Sequence, residues 1–125
     1  MGQSTKEYQT TMEPRKRRQL EMQARVLKAL AHPSRLCMVE LLADGERCVC
    51  DLQRVVGADM STVSKHLSVL KAAGIVRDEK RGLQVFYSLR FPCVFNFLSC
   101  VNELMTSAAD EQRDLCCVRQ PVTSR

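Results

Sequence analysis

The sequence predicts a mostly α-helical chain with one small β-hairpin. Three observations carry this. Apolar residues recur at helical spacing, as in Leu20, Ala24, Leu27 and Ala31, and again in Val63, Leu67 and Leu70. His32-Pro33, Gly45, Gly57 and Gly74 punctuate those stripes where helices should end. Between the last stripes, residues 75–79 and 83–89 read as two strands joined by Lys80-Arg81-Gly82.

Each element follows in order. Residues 1–13 are polar, and a disordered arm is expected there. Pro14 opens a first helix, and Arg15-Lys-Arg-Arg18 reads as its solvated start, with phosphate contact as the sharper option. His32-Pro33 breaks it. Leu36, Val39 and Leu42 then face inward from a second helix that Gly45 ends. Val49, Leu52, Val55 and Val56 mark a short third helix that stops near Gly57, and a fourth runs from Ser61 to Gly74. The third and fourth, separated by Gly57-Ala-Asp-Met60, form a helix-turn-helix. A hairpin with a cationic tip directly after it is a wing, placed to reach phosphate or a minor groove. The fold expected is therefore a winged helix-turn-helix.

Pro92 starts a last helix with two overlapping stripes: Val94, Leu98, Val101, Met105 and Phe97, Val101, Leu104. A helix apolar on more than one side must bury both, so one fits the domain and the other a dimer seam. The expected organisation is a DNA-binding and dimerisation domain over residues 14–109, then a flexible cysteine-containing tail over 110–125.

The totals narrow the class. A chain of 125 residues, 45% hydrophobic, supports one domain with a small core. A net charge of +5 favours a polyanionic partner. No apolar run approaches the roughly 20 residues of a membrane span, and the first residues lack a signal peptide's apolar core. The seven cysteines are odd in number, which favours reduced thiols in a cytoplasmic protein over a disulfide scaffold. A thiol reductase finds no support, because no Cys-x-x-Cys occurs.

The fourth helix carries the clearest function. Lys65 lies almost opposite Val63, Leu67 and Leu70, flanked by Ser61, Thr62, Ser68 and Val69. A small, hydroxylated, cationic face suits a DNA major groove. Ser61, Thr62, Ser64, Lys65, His66 and Ser68 are the candidate DNA contacts there, with Arg81 on the wing for phosphate. His66 lies beside the apolar stripe, where packing or phosphate contact outranks metal ligation. His32 reads as a turn residue, and Arg35 as either a cap or a phosphate contact.

Leu30-Ala-His-Pro-Ser-Arg-Leu36, Glu46-Arg-Cys-Val-Cys-Asp-Leu52, Ser61-Thr-Val-Ser-Lys-His-Leu-Ser-Val-Leu-Lys71 and Gly74-Ile-Val-Arg77 resemble the ArsR/SmtB family of metal-responsive repressors. The resemblance spans residues 20–105. It implies a homodimer that binds double-stranded operator DNA at an inverted repeat and lets go when a metal or metalloid binds. Cys48-Val49-Cys50-Asp51-Leu52 resembles the thiol motif of arsenite and antimonite sensors, and of cadmium and lead sensors. The inducer it implies is trivalent arsenic or antimony, with no organic cofactor. The alternatives are a cadmium, lead or zinc sensor, or a thiol redox switch.

Departures from the family pattern shape the ligand set. Gln53 stands where the best-known arsenite sensors carry a further thiol. The N-terminal arm has no cysteine, unlike that of cadmium and lead sensors, and the last helix has no His and only Glu103.

Thiol geometry adds a constraint. Residues i and i+2 of a regular helix point about 200° apart. Cys48 and Cys50 meet on one ion only where the start of the third helix is distorted or not yet helical. Trivalent arsenic commonly takes three sulfurs, so further candidate ligands are Cys116 and Cys117, then Cys93 and Cys100. Cys93 and Cys100 would stand about 10 Å apart on one helix, too far to share a small ion. Cys37 reads as a buried small hydrophobe.

Overall fold

The computed structural model describes residues 12–116, with side-chain surroundings given to residue 109. Most of the expected arm, and Cys117, lie outside the described residues. The chain divides into two compact units between Arg90 and Phe91.

In the first unit, α1 spans Pro14–Leu30 and α2 spans Pro33–Ala43, each with proline in its first turn. Proline there loses no helical hydrogen bond and arrives with its φ already set. His32 separates the two, in extended conformation, and caps α2: its Nδ1 accepts from the Ser34 N–H at 3.0 Å. A short strand, β1 (Arg47–Cys48), then runs directly into α3 (Val49–Val56). Gly57 ends α3 at φ +80, a left-handed conformation that costs glycine little. α4 (Met60–Ala72) follows after Gly57-Ala58-Asp59, completing the helix-turn-helix. The hairpin is β2 (Val76–Arg81) and β3 (Gln84–Leu89).

The sheet has three antiparallel strands in the order β1-β3-β2. β1 pairs Arg47 with Tyr87 and Cys48 with Phe86. The hairpin register closes at Arg81 opposite Gln84, leaving Gly82 and Leu83 as the wing tip.

Met38, Val39, Leu52, Val63, Leu67, Leu70 and Val76 are almost wholly buried, joined by Ala29, Leu30, Leu42 and Ile75. Every helix and β2 of this unit therefore contributes to one core. Val63, Leu67 and Leu70 form the buried face of α4 as the spacing predicts. Burying a side chain of this size is worth about 1.5–3 kcal/mol, so these three set how firmly α4 is seated.

Several expectations are corrected. Leu36 does not face inward; Met38 takes that place. At 100° per residue, Met38, Leu42 and Val39 span one buried arc, and Leu36 falls about 60° beyond it. The sequence left open what covers the α1 stripe; within the protomer Leu20 and Leu27 are exposed, and on α1 only Ala29 and Leu30 are buried. Only the end of α1 is drawn into the core, so periodicity marked an apolar face that the protomer leaves open. Cys37 is half-buried rather than buried. Arg81 sits in β2 and not in the tip, because the hairpin ladder continues through it; Leu83 is fully exposed at the tip instead of entering β3.

In the second unit, α5 spans Cys93–Cys116. It continues past residue 110, where a flexible tail was expected, since no Pro or Gly interrupts residues 93–116. Phe95, Phe97, Val101, Leu104 and Met105 are all exposed on it. Among the described residues, no helix is long and apolar enough to cross a membrane.

Candidate nucleic-acid interface and thiol segment

The outward face of α4 begins at its cap. Asp59 precedes the helix, and its carboxylate accepts from the Ser61 hydroxyl at 2.7 Å and the Thr62 hydroxyl at 2.5 Å. These bonds, Thr62 first, hold the Asp59 carboxyl below its ordinary range. Ser61, Ser64, Lys65 and Ser68 are exposed, while Thr62 and His66 are half-buried. Lys65 makes no ion pair among the described residues. A cation and four hydroxyls thus share one side of a helix whose other side is anchored in the core.

His66 stands apart from that face. Its Nδ1 lies 3.1 Å from Arg35 Nη1, and its ring packs against His32 with centroids 4.3 Å apart. A guanidinium only donates, so Nδ1 accepts and the His66 proton sits on Nε2. Arg35 also donates through Nε to the Ala29 carbonyl at 2.6 Å, at the end of α1. Burial first, then the neighbouring His32 and Arg35, lower the His66 pKa below its usual value. Arg35 therefore caps α1 and braces α4, and His32 caps α2.

The wing is held by charge. Arg81 donates to both Glu46 oxygens, at 2.9 and 2.6 Å, and to Glu79 at 2.8 Å. Its guanidinium lies 4.7 Å over the Phe86 ring. Glu79 first, then Glu46, raise the Arg81 pKa further, and Arg81 lowers that of Glu79. Lys80, next to it, makes no ion pair among the described residues. Lys71, in the last turn of α4, pairs with Asp78 on β2 at 3.1 Å.

The two motif thiols lie where strand meets helix. Cys48 is the last residue of β1 and the N-cap of α3, extended at φ −80 and ψ 161, and half-buried. Cys50 is exposed in the first turn of α3. Cys48 thus lies outside helical geometry, the condition that convergence with Cys50 requires. Among the described residues, no group of three or more His, Cys, Asp or Glu is placed to hold a metal ion. Cys93 and Cys100 are exposed on α5, in the other unit; Cys116 ends α5 and its side chain lies outside the described residues.

Sequence reasoning missed Glu46 and β1. Glu46 gives no signal, since its partner is 35 residues away. β1 has two residues, too few to show alternation.

A family model described as the bacterial regulatory protein, arsR family, matches residues 32–78. The HTH-type transcriptional regulator MJ1325 of Methanocaldococcus jannaschii is 38% identical over 85 residues, covering 67% of this chain and 96% of that one. The chain belongs to the ArsR family. The HTH-type transcriptional repressor SmtB of Mycobacterium tuberculosis is 40% identical over 76 residues; this match spans 61% of the chain and about half, 56%, of SmtB. The homodimeric winged helix-turn-helix DNA-binding domain Mb0332 from Mycobacterium bovis superposes with a TM-score of 0.66 at 31% identity, covering 89% of this chain and 99% of that domain. This ArsR-family chain is a winged helix-turn-helix, DNA-binding transcriptional regulator and not an enzyme.

Proposed function

We propose that this chain is a repressor that binds an inverted-repeat operator as a homodimer and is released when Cys48 and Cys50 thiolates bind trivalent arsenic or antimony. One observation supports this above others. Cys48 occupies the N-cap position of α3 at the end of an extended strand while Cys50 lies in the first helical turn. Soft thiolates suit these ions, and two of them stand at the entrance to the helix-turn-helix. A third sulfur would come from Cys116 or Cys117, with Cys93 or Cys100 next.

The chain's own residues supply the switch. Turning Cys50 toward Cys48 takes the first turn of α3 out of regular geometry. Leu52, wholly buried, ties that turn to the core shared with α4. Displacing it shifts Ser61, Thr62, Ser64, Lys65 and Ser68 out of groove register. His66 acts here as a brace for α4 through Arg35 rather than as a direct contact. Moving the equilibrium from 1:99 to 99:1 needs a preference of about 5.5 kcal/mol for the released state. The exposed stripes of α5 and α1 form the dimer seam, and reduced thiols fit a cytoplasmic setting.

The test is operator release by reduced protein across arsenite, antimonite, methylarsenite, cadmium and zinc. Release by the trivalent compounds at the lowest concentrations supports the reading. Release only by cadmium or zinc assigns a divalent sensor, and release only by oxidant assigns a redox switch.

A further inference from the structure

We propose that Glu46 is a positioning residue that latches the wing to the thiol segment, and that operator phosphate competes with Glu46 for Arg81. The coupling to the thiols rests on the function proposed above; the competition for Arg81 does not.

Four contacts close a ring. Glu46 binds Arg81 with both carboxylate oxygens. Arg81 lies over Phe86. Phe86 pairs with Cys48 across the β1–β3 ladder. Cys48 follows Glu46 by two residues in the chain. The wing's most elaborately held cation is therefore tied at both ends to the segment that carries a motif thiol. A displacement of the Cys48 backbone moves the Glu46 carboxylate, the Phe86 ring, or both.

The charges make Arg81 a poor phosphate ligand while latched. Three of its N–H donors are committed to carboxylates, out of the five a guanidinium has. Two carboxylates offset the Arg81 charge, so while latched the guanidinium attracts a phosphate less than a free one would. The latch is nevertheless weak enough to open. The Arg81 and Glu46 side chains are 46% and 37% exposed, and solvent screens such pairs. The two non-bridging oxygens of a backbone phosphate can accept from the same guanidinium fork as the two Glu46 oxygens, so exchange of one for the other keeps the guanidinium's donors satisfied. DNA binding then favours the unlatched wing. A thiol segment that returns Glu46 to Arg81 favours release.

The experiment is a double-mutant cycle on full-length protein without metalloid. Affinity is read by fluorescence anisotropy on a duplex that the wild type selects from random DNA. E46Q is expected to bind about two- to thirtyfold tighter than wild type, the range of one exposed ion pair lost in each of the dimer's two subunits. In the R81A background the same E46Q change should give no gain. An equal gain in both backgrounds means only that a negative charge was removed near DNA, and it overturns the latch. No gain in either overturns it also. Both side chains are partly exposed, so the variants should unfold cooperatively with a thermal midpoint lowered by no more than a few degrees, the size of the lost latch, and this confirms that they fold.

The second arm uses arsenite, with uptake read from the ultraviolet absorbance of arsenic–thiolate bonds. E46Q should bind arsenite like wild type when free of DNA. The penalty that bound DNA places on uptake should shrink, because coupling between two ligands is reciprocal. An unchanged penalty refutes the link from thiols to wing. If the wild type takes up no arsenite, the proposed inducer fails, and the DNA cycle alone decides the latch.

Discussion

Charge reversal at Lys65 is the sharpest probe of the DNA-reading face. Lys65 is exposed, opposite the buried Val63, Leu67 and Leu70, with no ion pair among the described residues. Substitution there should leave stability within about 0.5 kcal/mol. Each lysine that neutralises a phosphate releases counterions, contributing about 0.9 to the slope of log K against log salt. At about 0.15 M salt that release is worth about 1 kcal/mol per subunit, so about 2 kcal/mol for a dimer. Lys65→Ala should therefore bind about 30-fold more weakly. Lys65→Glu should lose more, since each subunit then repels the duplex. Between about 50 and 200 mM salt, the alanine variant's affinity should fall about tenfold less than that of wild type. Anisotropy titrations at four salt concentrations, with thermal unfolding as control, measure all of this. A folded Lys65→Glu protein with wild-type affinity and slope would refute the assignment of α4 as the reading helix.

Two further predictions follow. The fold holds His66 below its ordinary pKa of 6.5, so the folded state takes up that proton less readily than the unfolded chain. Stability should therefore be unaffected well above about pH 6.5 and fall as pH drops through it, and His66→Gln should flatten that part of the profile in chemical unfolding between about pH 5 and 8. A wild-type profile that the substitution leaves unchanged would remove the Arg35–His66 brace. On α5, Val101 and Leu104 are 36% and 70% exposed in the protomer, so a glutamate at either is tolerated by the fold yet places an unpaired charge in the proposed seam. Sedimentation should show dimeric wild type and monomeric Leu104→Glu at micromolar concentration; a monomeric wild type would end the two-half-site model.

The parts legible in the sequence are those whose periodicity reports burial. Val63, Leu67 and Leu70 are spaced for one helix face, and that face is the core. The helix ends were legible because Pro14, Pro33 and Gly57 fix backbone geometry locally. Periodicity does not say which surface covers an apolar face: the α1 stripe was legible as a stripe, but its exposure at Leu20 and Leu27 was not. Leu36 and Met38 were exchanged because a short apolar run in α2 fits more than one phase. The thiol segment was legible as a motif, whereas its geometry was not. β1 exists through pairing with β3, more than thirty residues on, and Arg81 finds Glu46 by the same long-range closure. His32 as a turn residue, and cap or packing roles for Arg35 and His66, were among the sequence's options, but their mutual contacts emerge only where three helices meet.

The central claim is that Cys48 and Cys50 sense the inducer. Its most direct test is operator release by the Cys48→Ser, Cys50→Ser double variant, titrated with arsenite beside wild type under reducing conditions. Neither thiol lies on the outward face of α4, so the variant should bind the operator like wild type. It should stay bound at arsenite concentrations that release wild type completely. If it lets go at the same concentration, the sensing thiols lie among Cys93, Cys100, Cys116 and Cys117, and the strand-to-helix junction is not the switch.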